Sequence, residues 1–270
     1  MTAPDQPFIR LRNVRKVYRS QGKEFLAVSD VTMDVQEGEL ISLVGPSGCG
    51  KTTVVKILAG LHDADGGTVQ IGNARTPFDP GRDIGMVFQQ PLLLKWRTIL
   101  DNVLLPAEIV GLPIKAARTR ARELLHLVGL AGHEDKYPQQ LSGGMQQRTA
   151  IARAFIHDPK LILMDEPFGA LDALTREQMN LEMLRIWRES GKTIIFVTHS
   201  IQEAVFLASH CAVLTSGPAR MAEYFAIDLP FPRALPIKTT DEFGAYARRI
   251  YESLGLGSGA PGTSETSIPS

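Results

Sequence analysis

The chain has 270 residues, 44% of them hydrophobic, enough to bury a substantial core in one large domain or in a domain with a subdomain. Its 29 Lys and Arg balance 29 Asp and Glu, which excludes an overall basic field for nucleic acid and leaves partners to local surfaces. The two cysteines, Cys49 and Cys211, lack metal-ligand spacing and suit a reducing compartment, no apolar stretch approaches the ~18 residues of a membrane span, and the polar first ten residues lack a signal-peptide core, so the chain is expected in the cytosol.

Residues 1–7 read as a loose lead-in. The first buried strand is predicted at 40–44 and runs into Gly45-Pro46-Ser47-Gly48-Cys49-Gly50-Lys51-Thr52, which opens a helix over 51–59. A strand at 84–88 ends at Gln89. From 91 to 140 the pattern turns helical, with a helix near 114–128 and no strong strand, which predicts a mainly helical insertion. Beyond it come a helix at 143–157, a strand at 161–164, a helix at 174–190, a strand at 193–197 and a helix at 200–209. This alternation predicts an α/β sheet with crossover helices. Residues 255–270, rich in Gly, Ser, Pro and Thr, are expected to be disordered.

Residues 45–52 fit G-x-x-x-x-G-K-[ST] in the strand-to-helix setting the motif needs. Its glycines let backbone N–H groups wrap phosphate oxygens, Lys51 reaches the outer phosphates, and Thr52 is placed to ligate Mg²⁺, with Thr53 just behind it. Cys49 in this loop invites a redox role, against which a small side chain filling the turn is the simpler account. The strand at 161–164 delivers Asp165 and Glu166 to its C-terminal tip, where adjacent carboxylates point apart: Asp165 for Mg²⁺, Glu166 as general base for the attacking water. His199 follows the strand at 193–197 and is expected at the γ-phosphate; alone, a histidine there would be structural. Gln89 is poised to touch Mg²⁺ or the water, a solvated loop glutamine being the alternative.

Leu141-Ser142-Gly143-Gly144-Met145-Gln146-Gln147-Arg148 precedes the helix at 143–157. With it, residues 8–226 resemble the ATP-binding subunits of ABC transporters: an α/β P-loop NTPase cassette with a RecA-like core, an antiparallel β subdomain and a helical subdomain at about 91–150. The resemblance implies adenine stacking on Tyr18, a Q-loop at Gln89, a D-loop at Ala170-Leu171-Asp172 and a switch role for His199. It places Ser142, Gly143, Gly144 and Gln146 against the ATP of a second copy, so that two chains sandwich two ATP molecules head to tail. Read physically, Ser142 and the Gly143-Gly144 backbone form an anion site at a helix N-terminus, although Ser142 as a plain N-cap is the competing account. For Tyr18, packing at a strand end competes with stacking.

Finer features resemble the nitrate, sulfonate and taurine importer branch: residues 92–96, Asp101-Asn102-Val103, residues 198–208, and the C-terminal segment 227–254, expected to pack on the cassette. Lys95 departs from the proline of that branch. The resemblance implies ATP and Mg²⁺ as cofactors, permease subunits as partners, a solute-binding protein as an indirect partner, and a peripheral place on the cytoplasmic face of the membrane. Trp96 is either part of a groove for a permease helix or an ordinary core tryptophan. Rival readings are a soluble ABC ATPase of DNA repair or ribosomes, disfavoured by a single cassette without long heptads, and a P-loop kinase or GTPase, disfavoured by residues 141–144. Cargo and direction of transport stay open.

Overall fold

The computed structural model describes residues 6–20, 22–73, 76–169 and 171–256. Strands are β1 (Ile9–Ser20), β2 (Lys23–Val35), β3 (Leu40–Val44), β4 (Gly66–Ile71), β5 (Ile84–Val87), β6 (Leu161–Asp165), β7 (Thr193–Thr198), β8 (His210–Leu214) and β9 (Ala219–Ala226). Helices are α1 (Lys51–Leu58), α2 (Pro80–Asp83), α3 (Ile99–Ile109), α4 (Ile114–Leu127), α5 (Gly143–Phe155), α6 (Ala173–Ser190), α7 (Ile201–Leu207) and α8 (Asp241–Ser253). Among the described residues the strands join in the order β4-β1-β2-β9-β8-β3-β7-β6-β5.

The half from β8 to β5 is parallel, and its strands are apolar runs buried on both faces, which is why they were readable as short uninterrupted blocks. Alternate residues feed two cores. Ile41, Leu43, Leu163 and Val197 pack with Val54 and Leu58 of α1, while Leu40, Val44, Met164 and Phe196 face the core built from α3 to α8. The other half is mainly antiparallel, as β1 pairs with both β2 and β4 and β9 with β8, while β2 and β9 run parallel. It carries the antiparallel subdomain that the resemblance implied. Its strands escaped the pattern reading because β1 breaks alternation: the register slips between Leu11 and Val14, where Asn13 adopts φ 48°.

Between β5 and β6 the chain forms α3, α4, a short 3₁₀ turn (Pro138–Gln140) and α5, the expected helical insertion. The helix at α3 was hidden by Pro106 in its interior. Buried Asn102 ties α3 to the preceding loop, donating to the carbonyls of Leu94, Arg97 and Thr98 and accepting from the Leu94 N–H. At the other end α8 buries Phe243, Ala247 and Ile250 and packs on α7. Arg233 is 3% exposed and donates to five carbonyls, those of Val205, Phe206 and Ala208 at the C-terminal end of α7 and those of Ile227 and Leu229 just after β9. Burial without a carboxylate partner lowers its pKa to about 10. The tail expected at 255–270 lies outside the described residues from 257 onward, as do 1–5 of the lead-in and Ala170.

Candidate functional site

The loop between β3 and α1 begins where a fully buried strand reaches the sheet edge. Gly50 caps α1 with φ 112°, and a Cβ there would meet the Ala27 carbonyl oxygen at 2.7 Å, so only glycine fits. Lys51, 4% exposed, donates to the carbonyls of Gly45 and Pro46 at 2.8 and 2.9 Å, and its Nζ lies 3.6 Å from Glu166 Oε1. The loop thus folds round its own ammonium. Cys49 is buried in the turn and burial pushes its thiol pKa up, which fits the packing account.

Glu166 lies one residue past the end of β6, held by its N–H to the Val197 carbonyl at 3.0 Å, with φ 47°. That left-handed conformation is costly for a side chain bearing a Cβ, and it turns the carboxylate back over the phosphate loop. His199 Nδ1 stands 3.1 Å from Glu166 Oε2. Burial pushes the Asp165 carboxyl up, the Thr52 hydroxyl and Lys51 draw it down, and the neighbouring Glu166 charge adds to the rise. A cleft of about 390 Å³ is lined by Ser47, Gly48, Gly50, Lys51, Thr52, Thr53, Gln89 and Glu166. Of the residues picked from sequence, Gly45, Pro46 and Cys49 stand behind this cleft as its frame. Tyr18 lies on β1 with its ring edge-on to His62 at 5.6 Å and outside the cleft lining.

A second cleft, of about 440 Å³, shares no lining residue with the first. Ser142, Gly143, Gly144, Met145, Arg148, Leu171, Asp172 and Thr175 line it. Ser142 caps α5, accepting from the Met145 N–H at 3.3 Å, and Asp172 caps α6, accepting from the Thr175 N–H at 3.0 Å. Gln146 does not line this cleft. Its amide donates to the carbonyls of Pro138 and Leu141 at 3.0 and 3.2 Å, and it lines a third cleft. Residues 142, 145 and 148 follow at spacing three, each step turning the same way round the helix, whereas 146 lies roughly 100° round from 145 and on the opposite side of 142. That spacing was the available signal for Met145 and Arg148, which the sequence reading passed over.

The third cleft, of about 630 Å³, is lined by Gln90, Pro91, Leu92, Leu93, Lys95, Pro138, Gln139 and Gln146. Trp96 beside it is 75% exposed, which rules out the core reading of that tryptophan. Among the described residues no group of three or more His, Cys, Asp or Glu side chains could hold a metal ion, and no helix is long and apolar enough to cross a membrane.

A phosphate loop opening a helix beside a carboxylate-tipped parallel strand defines a P-loop nucleotide-binding protein. The comparisons carry this further. The ABC transporter family pattern matches residues 28–169. The chain is 45% identical over 236 residues to the taurine import ATP-binding protein TauB of Yersinia pseudotuberculosis, covering 86% of this chain and 91% of that protein. It is 44% identical over 227 residues to the aliphatic sulfonates import ATP-binding protein SsuB of Bacillus licheniformis, covering 84% and 86%. A dimeric structure of the ATP-binding cassette MJ0796, bound to ADP and Pi after hydrolysis, superposes with TM-score 0.72 and 33% identity, covering 82% of this chain and all of that one. The chain belongs to the ABC transporter family and is an ATP-binding, ATP-hydrolysing cassette.

Proposed function

We propose that this chain is the motor of an importer for a small anionic solute of the sulfonate or taurine kind, acting as a head-to-tail pair on the cytoplasmic face of the membrane. The observation that carries the two-copy part is the separation of the two anion-facing clefts within one chain. Neither the loop at Lys51 nor the helix end at Ser142 encloses a triphosphate alone, so each cleft completes a site with the other cleft of a second copy. The dimeric MJ0796 relative and the importer names of TauB and SsuB support the reading.

Within each composite site the backbone N–H groups of 45–52 and Lys51 hold the β- and γ-phosphates, and Tyr18 packs on the adenine. Glu166 accepts a proton from the attacking water, and His199, fixed by its contact with Glu166, orients that water and the γ-phosphate. Thr52, Asp165 and Gln89 would hold Mg²⁺: Thr52 and Gln89 line one cleft, Asp165 hydrogen-bonds Thr52, and a hydroxyl, a carboxylate and an amide oxygen fit a hard cation. When bound, Mg²⁺ neutralises charge on the phosphates. Across the pair, Ser142 and the N–H groups of Gly143 and Gly144 approach the partner's γ-phosphate.

Permease subunits dock at the third cleft, where Leu92 and Trp96 are exposed beside Lys95 and Gln89 lies next in chain to its lining. Residues 8–226 act as the cassette, with 91–150 as the insertion that passes on the motion, and 227–254 as a strap on its back. Glu166→Gln tests the core of this reading. Turnover is expected to fall about 10²- to 10⁴-fold, while ATP binding survives and light scattering in ATP shows a dimer; undiminished turnover removes Glu166 as the base.

A further inference from the structure

Two loops that serve different clefts are joined inside the chain. Leu171 lies against the turn of the second cleft: a Cβ on Gly144 would come within 3.3 Å of Leu171 Cδ2. From the first turn of α6, Arg176 Nη2 donates to the Leu171 carbonyl at 2.9 Å, and Arg176 Nε faces Glu203 Oε1 at 3.6 Å. Glu203, on α7 and 5% exposed, accepts the Thr198 hydroxyl proton at 2.5 Å. The same hydroxyl accepts from the Ser200 N–H at 2.9 Å. Thr198 and Ser200 bracket His199, whose ring contacts Glu166 at 3.1 Å.

We propose that Arg176, Glu203 and Thr198 are positioning residues, a relay by which the state of the Ser142–Asp172 face sets the posture of His199 in the same chain. The proposal rests on the two-copy reading above: that face meets the partner's nucleotide, so the relay makes hydrolysis at one site conditional on occupancy of the other. It adds a specific internal connection to that reading, through residues that line neither cleft.

Three observations favour a working joint over a static brace. A buried carboxylate is an expensive way to hold two helices together, since apolar residues of similar volume commonly do it as well or better. Burial pushes the Glu203 carboxyl up, and Thr198, Arg176, His199 and, from the strap, Lys238 draw it back. Second, the joint is not shut. Arg176 Nε is buried with no hydrogen-bond acceptor, and its 3.6 Å gap to Glu203 exceeds the ~2.8 Å of a charge-assisted bond, so a slide of about 0.8 Å between α6 and α7 would close it. Third, both ends of the relay sit on caps: Asp172 starts α6 and Ser200 starts α7, accepting from the Glu203 N–H at 3.3 Å. Movement of either helix therefore moves its loop. An ion pair that can be open or closed is the kind of element that can carry coupling between sites.

The test uses the full chain with Glu203→Gln, Arg176→Gln, their double variant, and the pair Thr198→Val and Thr198→Ser. The variants should stay folded, with melting lowered by about a few degrees at most, and titration of the monomer with a fluorescent ATP analogue should match the wild type. In turnover, the Gln variants and Thr198→Val should lose kcat by about 5- to 150-fold, with the Hill coefficient for ATP falling towards one. Thr198→Ser, which keeps the hydroxyl, should restore both, and the double variant should be no worse than the more damaged single. Folded, nucleotide-binding variants with wild-type Hill coefficients, or a double variant whose losses multiply, overturn the relay. If a Gln variant fails to fold, the Thr198 pair decides alone. A wild type without cooperativity in ATP overturns the two-copy reading itself, and the relay with it.

Discussion

The two anion-facing clefts are both built at helix N-termini, and the comparison between them shows how the chemistry is divided. At α1 the helix end is furnished: an ammonium, a strained carboxylate and an imidazole converge within 3.6 Å links on the loop at 45–52. At α5 the helix end offers a capping serine, two glycines without side chains, and Arg148, with Asp172 engaged in capping α6. One cleft holds what breaks a bond; the other holds only what binds an anion. On the proposed two-copy reading, a fold that keeps these apart in one chain hydrolyses ATP by bringing two chains together, through a contact that forms and dissolves with each cycle.

Four substitutions sharpen or break that contrast, in falling order of effect. Lys51→Ala removes the charged donor of the furnished cleft, so ATP binding measured by equilibrium titration should weaken roughly 10- to 100-fold and turnover should drop to background; near-normal affinity would dissolve the assignment of phosphate binding to that cleft. Ser142→Asp acts on the bare cleft. Aspartate caps a helix as well as serine, so melting should be unchanged, yet its charge should repel a facing γ-phosphate and abolish the ATP-driven dimer seen by light scattering, while ATP binding to the monomer persists. Ser142→Ala should do the reverse, costing about 1 kcal/mol of stability with dimerisation largely kept. A Ser142→Asp chain that still dimerises would reduce Ser142 to a cap. Cys49→Ala should have the smallest effect, with turnover within about twofold and stability within about 1 kcal/mol, because the thiol is buried and its raised pKa keeps it protonated; a collapse in activity would restore a chemical role for it.

How much of this was readable in advance depended on burial. β3, β6 and β7 are buried on both faces, so their residues form unbroken apolar blocks, and the motifs at their tips were found with them. Strands of the antiparallel half face solvent on one side and carry bulges; β1 and β2 came only through the family resemblance. β8, five residues long, lay hidden behind the helix expected at 200–209, which ends at Leu207. Motif membership also proved a poor guide to side-chain direction. Gln146 belongs to the same stretch as Ser142, yet one residue of helical rotation past Met145 sends it to another cleft. The positive φ at Glu166 and the Arg176–Glu203 joint had no sequence signal, because each depends on backbone paths set by distant elements.

The division of one ATP site between two chains is tested most directly by specific activity against chain concentration, with oligomeric state followed by sedimentation in the same samples. Turnover per chain should rise steeply from near zero where sedimentation shows monomers and level off where it shows dimers. Constant turnover per chain in samples that remain monomeric throughout would contradict it.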